Sequence, residues 1–350
     1  MRKICMLAAL VGALTVLTAS CAQENLQSTQ EEEQDDAVQI GITFDSFVND
    51  RWLRDRDVFV SAAQELGAEV NVQSANGDLS EQVEQVDYFI EKKMDVIVII
   101  QVASGDEVDD LVDAVARARR AGIPVISYDR LIRNADTDLY ISFDNVEVGR
   151  LMAAHMLEHL EGEGSIIQVC GPLVDYNVPQ VMSGFAEVLE GSNIEIELVE
   201  HADEWKPEVG FTVTEEYLGS MGVGESLEGI MCGNDGLAGQ AIRALSERRL
   251  AGSVCVVGQD ADLEACQRIV EGTQCMTVYK PVEQLARRAA ELAMELAQDG
   301  TIETEETISD GSYDIPYEKL EPVAVTKENM DEVITGKYHE ESDIYRNVRN

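Results

Sequence analysis

The chain has 350 residues, which suits two domains of ordinary size, and 45% of them are hydrophobic, enough for a core in each. Asp and Glu number 67 against 26 Lys and Arg, a formal charge of −41. That balance excludes a nucleic-acid partner, whose phosphates demand a basic stripe, and argues against an anionic substrate. It fits a surface adapted to high salt, where self-repulsion is screened, and equally an acidic extracellular protein.

Arg2 and Lys3 precede an apolar run from Met6 to Leu17, followed by Thr18-Ala19-Ser20-Cys21. The run is too short to span a membrane and has the flanks of a signal peptide. A small-residue stretch ending in Cys is similar to a bacterial lipoprotein signal, so residues 1–21 are expected to be that signal. Cys21 is then the lipidated first residue, and ordinary cleavage nearby is the alternative. Residues 22–37, with Glu31-Glu32-Glu33 and Asp35-Asp36, carry no apolar periodicity and read as a solvated tether.

From Val38 the chain alternates strand and helix. Val38–Phe44 is a short apolar strand, and Trp52, Phe59, Ala62, Ala63 and Leu66 recur at helical spacing. Glu69–Gln73, Asp95–Ile100 and Ile123–Ser127 read as further strands, with helices at 79–91 and 108–121 between them. The continuous run DVIVII is what a parallel strand covered on both faces requires. A strand at 139–144 leads into helix 146–160, and the same rhythm restarts. Strands are expected at 165–170, 194–200, 229–232, 253–257 and 275–278, each after a helix. A long Ala-rich helix follows at 282–298. The fold class is therefore α/β, with two doubly wound parallel-sheet lobes joined by a hinge. One lobe is assigned residues 38–143 with about 280–310, the other 144–279 with about 311–345.

Polar groups gather just past the carboxyl ends of these strands, where ligands of open α/β sheets bind. They are Asp129 and Arg130, Asp175 and Asn177, Asn234 with Asp235, Asp260, and Lys280. Carboxylates accept from hydroxyls, Arg and Lys donate, and Asn does both, which suits a neutral polyol. Any one of them could simply cap a helix, and for Asp235 that is the preferred reading. The two tryptophans, Trp52 and Trp205, stand beside charged residues at helix starts, one in each half. They are either partly buried anchors or flat faces for the C–H side of a sugar ring.

Other motifs carry less. His155-Met156-Leu157-Glu158-His159 fits the HxxEH pattern of inverted zinc peptidases and puts both histidines on one helix face. A surface helix pair is the plainer reading, with no further ligand evident at a nearby strand end. Gly219–Gly224 follows no strand and reads as a turn rather than a nucleotide loop. Beyond Cys5 and Cys21 the cysteines show no CxxC pair. Cys170, Cys232 and Cys255 belong to core strands, and a Cys266–Cys275 disulfide is open.

At the blocks RWLRDRDVF, VQSANGD, DVIVII, YDRLIRNADTDLYISFDN, VDYN, NDGLAG, GQDADL and GTQCMTVYKP the chain resembles the D-xylose-binding proteins of bacterial ABC sugar importers. These belong to the type I periplasmic sugar-binding proteins, and the resemblance covers roughly Val38 to Tyr345. It implies a pyranose sandwiched between Trp52 and Trp205. It also implies hydrogen bonds to the sugar from Arg51, Asp129, Arg130, Asp175, Asn177, Asn234, Asp260 and Lys280. Arg51 comes from the resemblance alone, and Asp235 is not in the implied set. The implied protein is an extracytoplasmic monomer without cofactor, metal or catalysis, which hands xylose or a close monosaccharide to a membrane ABC permease. A sugar sensor that docks on a receptor kinase or chemoreceptor would use the same lobes.

Overall fold

A computed structural model describes residues 37–47, 50–102 and 108–348. The expected signal segment, Cys21 and nearly all of the acidic tether lie outside the described residues.

Two sheets organise the chain. The first is built from β1 (Gln39–Phe44), β2 (Glu69–Ser74), β3 (Val96–Ile99), β4 (Val125–Tyr128) and β5 (Leu139–Phe143), and from two late strands, β11 (Glu306–Ser309) and β12 (Asp314–Leu320). Its order is β11-β12-β5-β4-β3-β1-β2, parallel except for the β11–β12 hairpin. Helices α1 (Asp50–Glu65) and α9 (Val282–Asp299) cover one face, and α2 (Leu79–Lys92) and α3 (Val108–Arg120) the other. Both faces being covered explains why every residue of β3 is apolar and buried.

The second sheet has the order β13-β10-β9-β8-β6-β7. It comprises β6 (Glu163–Cys170), β7 (Asn193–His201), β8 (Gly229–Cys232), β9 (Cys255–Gln259) and β10 (Met276–Tyr279), all parallel, with β13 (Val323–Val325) antiparallel at the edge. Helices α4 (Asn145–His159) and α5 (Asn177–Leu189) pack on one face, α6 (Glu208–Ser220) and α7 (Asp235–Glu247) on the other. Helix α8 (Leu263–Glu271) forms a smaller core with the tail around Met330, Ile334 and Ile344. Helices α4 and α5 touch backbone to backbone through glycine. A Cβ on Gly149 would sit 2.0 Å from the Val181 carbonyl oxygen, and one on Gly184 1.9 Å from that of Val146.

The chain passes between the sheets three times: after β5, after β10, and between β12 and β13. The return of α9 to the first lobe is as expected from the long Ala-rich helix. The lobe boundary expected near residue 311 is corrected, because β12 belongs to the first sheet and only β13 joins the second. Ile315 and Tyr317 alternate inward on β12, and Tyr317 stacks on Tyr140 of β5 with ring centroids 4.9 Å apart. That apolar side outweighs the polar look of the tail. Two crossings are tied to each other, since the Asp144 amide donates to the Leu320 carbonyl (2.9 Å) and Lys319 pairs with the Asp144 carboxylate (3.5 Å).

Candidate functional site: the cleft between the lobes

The carboxyl edges of both sheets face one cleft of about 990 Å3. All ten residues singled out in the sequence line it: Arg51, Trp52, Asp129, Arg130, Asp175, Asn177, Trp205, Asn234, Asp260 and Lys280.

Backbone geometry puts them there. Asp129 directly follows β4 and Asp260 directly follows β9, and both adopt left-handed φ, 62° and 100°. Each donates its amide to the neighbouring strand, Asp129 to Ile141 and Asp260 to Val278, both at 2.8 Å. The two lobes thus turn an aspartate into the cleft by the same device. A non-glycine residue held in this region costs on the order of 1–3 kcal/mol, and such strain gathers where function over-determines the backbone. Glu204 and Trp205 are also left-handed, in a short 3-10 turn after β7. That turn lays the half-buried Trp205 ring on the backbone of Gly171 and Gly233. A Cβ on Gly171 would lie 2.3 Å from the ring. Trp52, on the first turn of α1, is only 3% exposed, and the guanidinium groups of Arg51 and Arg130 lie 4.6 and 5.5 Å from its ring centroid.

The charged groups form one buried network spanning both lobes. From the first lobe, Arg51 pairs with Asp129, with Asp55 (3.4 Å) and, across the cleft, with Asp260 (3.8 Å). Arg130 reaches Asp45 (2.7 Å), the Gln101 carbonyl (2.8 Å) and, across the cleft, Asp175 (2.8 Å). Lys280, at the second crossing, holds Asp260 at 2.9 Å. The Trp205 indole donates to Asp175 (3.2 Å), and the Asn177 amide group donates to the Asp129 carbonyl (3.1 Å) and carboxylate (3.3 Å). Burial pushes Asp129 up, but Arg51 and Lys280 outweigh it and hold the carboxyl below its ordinary value. Asp55 sits deeper, and there burial wins, pushing it up to about 7 despite Arg51 and its bond from the Tyr128 hydroxyl. Carboxylates outnumber cations around the cleft. The arrangement offers acceptors and donors to a ring of hydroxyls, between two apolar platforms, and disfavours an anion.

Two readings change. Asn234, not Asp235, caps α7, accepting from the Leu237 amide at 2.9 Å while it lines the cleft. Asp235 points behind the site, where it accepts from Gln274 and Thr277, each at 2.7 Å. Cys266 does not pair with Cys275. Its thiol lies buried near the Ala261 carbonyl in the small α8 core, whereas Cys275 packs in the α4–α5 core, and all five described cysteines are free.

The sequence reading missed several residues in and behind the cleft. Asp45 lines the cleft as the partner of Arg130, with no spacing signal in the sequence, whereas Asp55 lies behind the cleft as the partner of Arg51, four residues after it on the same helix. Tyr338 and His339 reach the cleft rim from the tail. Arg54 donates to the Tyr338 carbonyl (2.8 Å) and lies 4.2 Å from its ring centroid, and His339 contacts the Ala261 carbonyl. Two adjacent aromatic rings in an otherwise polar tail were the available signal.

The sequence from residue 40 to 301 matches the model of the periplasmic binding protein domain. The chain belongs to this family. Within it, the chain is 39% identical to a D-xylose-binding periplasmic protein of Haemophilus influenzae, over 96% of this chain and 97% of that one. It is 38% identical to the D-xylose-binding periplasmic protein of Escherichia coli, over 88% and 92%. Among solved structures, a carbohydrate transporter solute-binding protein of Chloroflexus aurantiacus in complex with D-glucose superposes with a TM-score of 0.78. It is 27% identical and covers 87% of this chain and 98% of its own. The two-lobed parallel-sheet architecture is thus the family's.

Proposed function

We propose that this periplasmic binding protein captures D-xylose, or a close monosaccharide, between its lobes outside the cytoplasm and delivers it to an ABC importer. The observation that carries the reading is the cleft itself. Each lobe contributes one tryptophan, Trp52 and Trp205, and both contribute paired carboxylates and cations at strand ends. The relatives named for D-xylose binding, at 38% and 39% identity over most of the chain, support the sugar. In this reading Trp52 and Trp205 sandwich the ring, and Arg51, Asp129, Arg130, Asp175, Asn177, Asn234, Asp260 and Lys280 bond its hydroxyls. Sugar contacts drawn from both lobes favour the closed arrangement, because an open one makes only part of them. The working unit is a monomer, tethered to the membrane by lipid on Cys21.

Titration calorimetry of the mature protein with xylose, then ribose, arabinose and glucose, tests this. One-to-one binding of xylose ahead of the others is the expected result. Preference for another of these sugars would keep the capture mechanism and move the specificity. Folded protein that binds none of them would overturn the reading.

A further inference from the structure

The second lobe carries a cluster that the sugar cleft does not use. His155 and His159 stand one turn apart on α4, their rings tilted 30° to each other with centroids 6.2 Å apart. Cys255 opens β9, and Cys275 stands just before β10. One donor atom from each of these four side chains lies within 4.8 Å of all the others. The histidines are a helix-spaced pair, whereas the cysteines come from two strands roughly a hundred residues further on. The donor set is therefore visible only in the fold.

We propose that His155, His159, Cys255 and Cys275 form a structural zinc site that ties the end of α4 to the starts of β9 and β10. Two thiolates and two imidazoles are the set that selects tetrahedral zinc, with Zn–S near 2.3 Å and Zn–N near 2.0–2.1 Å. Such a tetrahedron has edges of about 3.3–3.8 Å by that geometry, so side-chain rotation of an ångström or so closes the cluster on an ion. Oxygen-seeking cations find no carboxylate in this set. His159 is the last residue of α4, where the helix's carbonyl end favours a cation. Cys255 is buried, whereas His159 is exposed, which leaves a path for the ion to enter.

Four protein ligands leave no open position for water or substrate, so the site is structural and not that of a peptidase, although His155–His159 fits HxxEH. It also lies at the wrong edge for the sugar. Cys255 and Asp260 are at opposite ends of β9, roughly 16 Å apart at the rise of a parallel strand. The zinc site is therefore independent of the sugar reading, and a failed sugar titration leaves it untouched.

The test uses purified mature protein, reduced, stripped with a chelator and titrated with cobalt(II), then zinc(II). The expected result is one equivalent of cobalt, with the visible bands of a tetrahedral site and sulfur-to-metal charge transfer, displaced by one equivalent of zinc. Zinc should also raise the thermal midpoint by several degrees. Cys275→Ser should lose about half of the charge-transfer intensity, since one of two thiolates remains. His159→Ala, at an exposed position that the fold does not need, should weaken cobalt binding at least tenfold with unchanged circular dichroism. A six-coordinate spectrum, an absence of stoichiometric binding in folded protein, or a Cys255–Cys275 disulfide in the protein as isolated from cells would each overturn the proposal.

Discussion

Trp205 shows how backbone can present one aromatic face to the cleft. Its ring is held from behind by two glycine backbones and at its edge by Asp175, so one face is already fixed before any ligand arrives. The left-handed backbone at Glu204 and Trp205 is the strain that this placement costs. Because the ring is half-buried and supported largely by backbone, Trp205→Ala should affect binding more than folding. An anchor aromatic of this kind is worth about 2 kcal/mol or more, roughly a 30-fold rise in Kd. Calorimetry on the variant, paired with its denaturant midpoint, checks this. Unchanged affinity for the preferred sugar would mean that Trp205 is not a wall of the site.

Among the elements, the α4–α5 contact is the least forgiving. Gly149 and Gly184 let the helices approach until side chains would meet backbone, and backbone cannot rotate aside. Gly184→Ala should therefore destabilise the second lobe by about 1–3 kcal/mol, the usual range for overpacking. Alanine is intrinsically the better helix former by about 1 kcal/mol, so in a loosely packed pair the same change would stabilise. Thermal unfolding of the variant separates the two signs. The pairing of β12 with β5 matters differently. It makes the late hairpin part of the first sheet and brings the third crossing beside the first, where Asp144 and Lys319 meet.

For the whole molecule, buried acids set the pH response. Asp55, pushed up to about 7 by burial, binds its proton more tightly folded than unfolded. Its contribution is fully present below about pH 4 and is lost as pH rises through about 7. Asp235 and Asp262 are likewise raised by burial and act in the same direction. Asp129 is lowered, so its contribution is lost instead as pH falls below its ordinary value of 3.8. The thermal midpoint should therefore fall between about pH 5 and about pH 8, and Asp55→Asn should flatten that fall. The net charge of −41 pulls the same way by self-repulsion, and measurement in high salt screens it. A slope unchanged by Asp55→Asn under those conditions would show that this carboxyl is ionised throughout.

Local patterning along the chain was enough to specify the repeated strand–helix rhythm, the two parallel sheets and the polar residues at strand ends. Parallel strands covered on both faces are continuously apolar, and a residue just past such a strand has only the sheet edge to occupy. Hence Asp129, Asp175, Asp260 and Lys280 were legible without coordinates. Long-range packing decided the rest. The assignment of β12 to the first sheet depends on Tyr317 finding Tyr140, and the reach of Tyr338 and His339 to the cleft depends on where the tail folds back. Asp45 matters because Arg130 comes to it and Asp55 because the Tyr128 hydroxyl does, and Cys275 faces Cys255 and two histidines rather than Cys266. Each of these is a meeting between residues far apart in sequence, and periodicity along the chain holds no record of such distances.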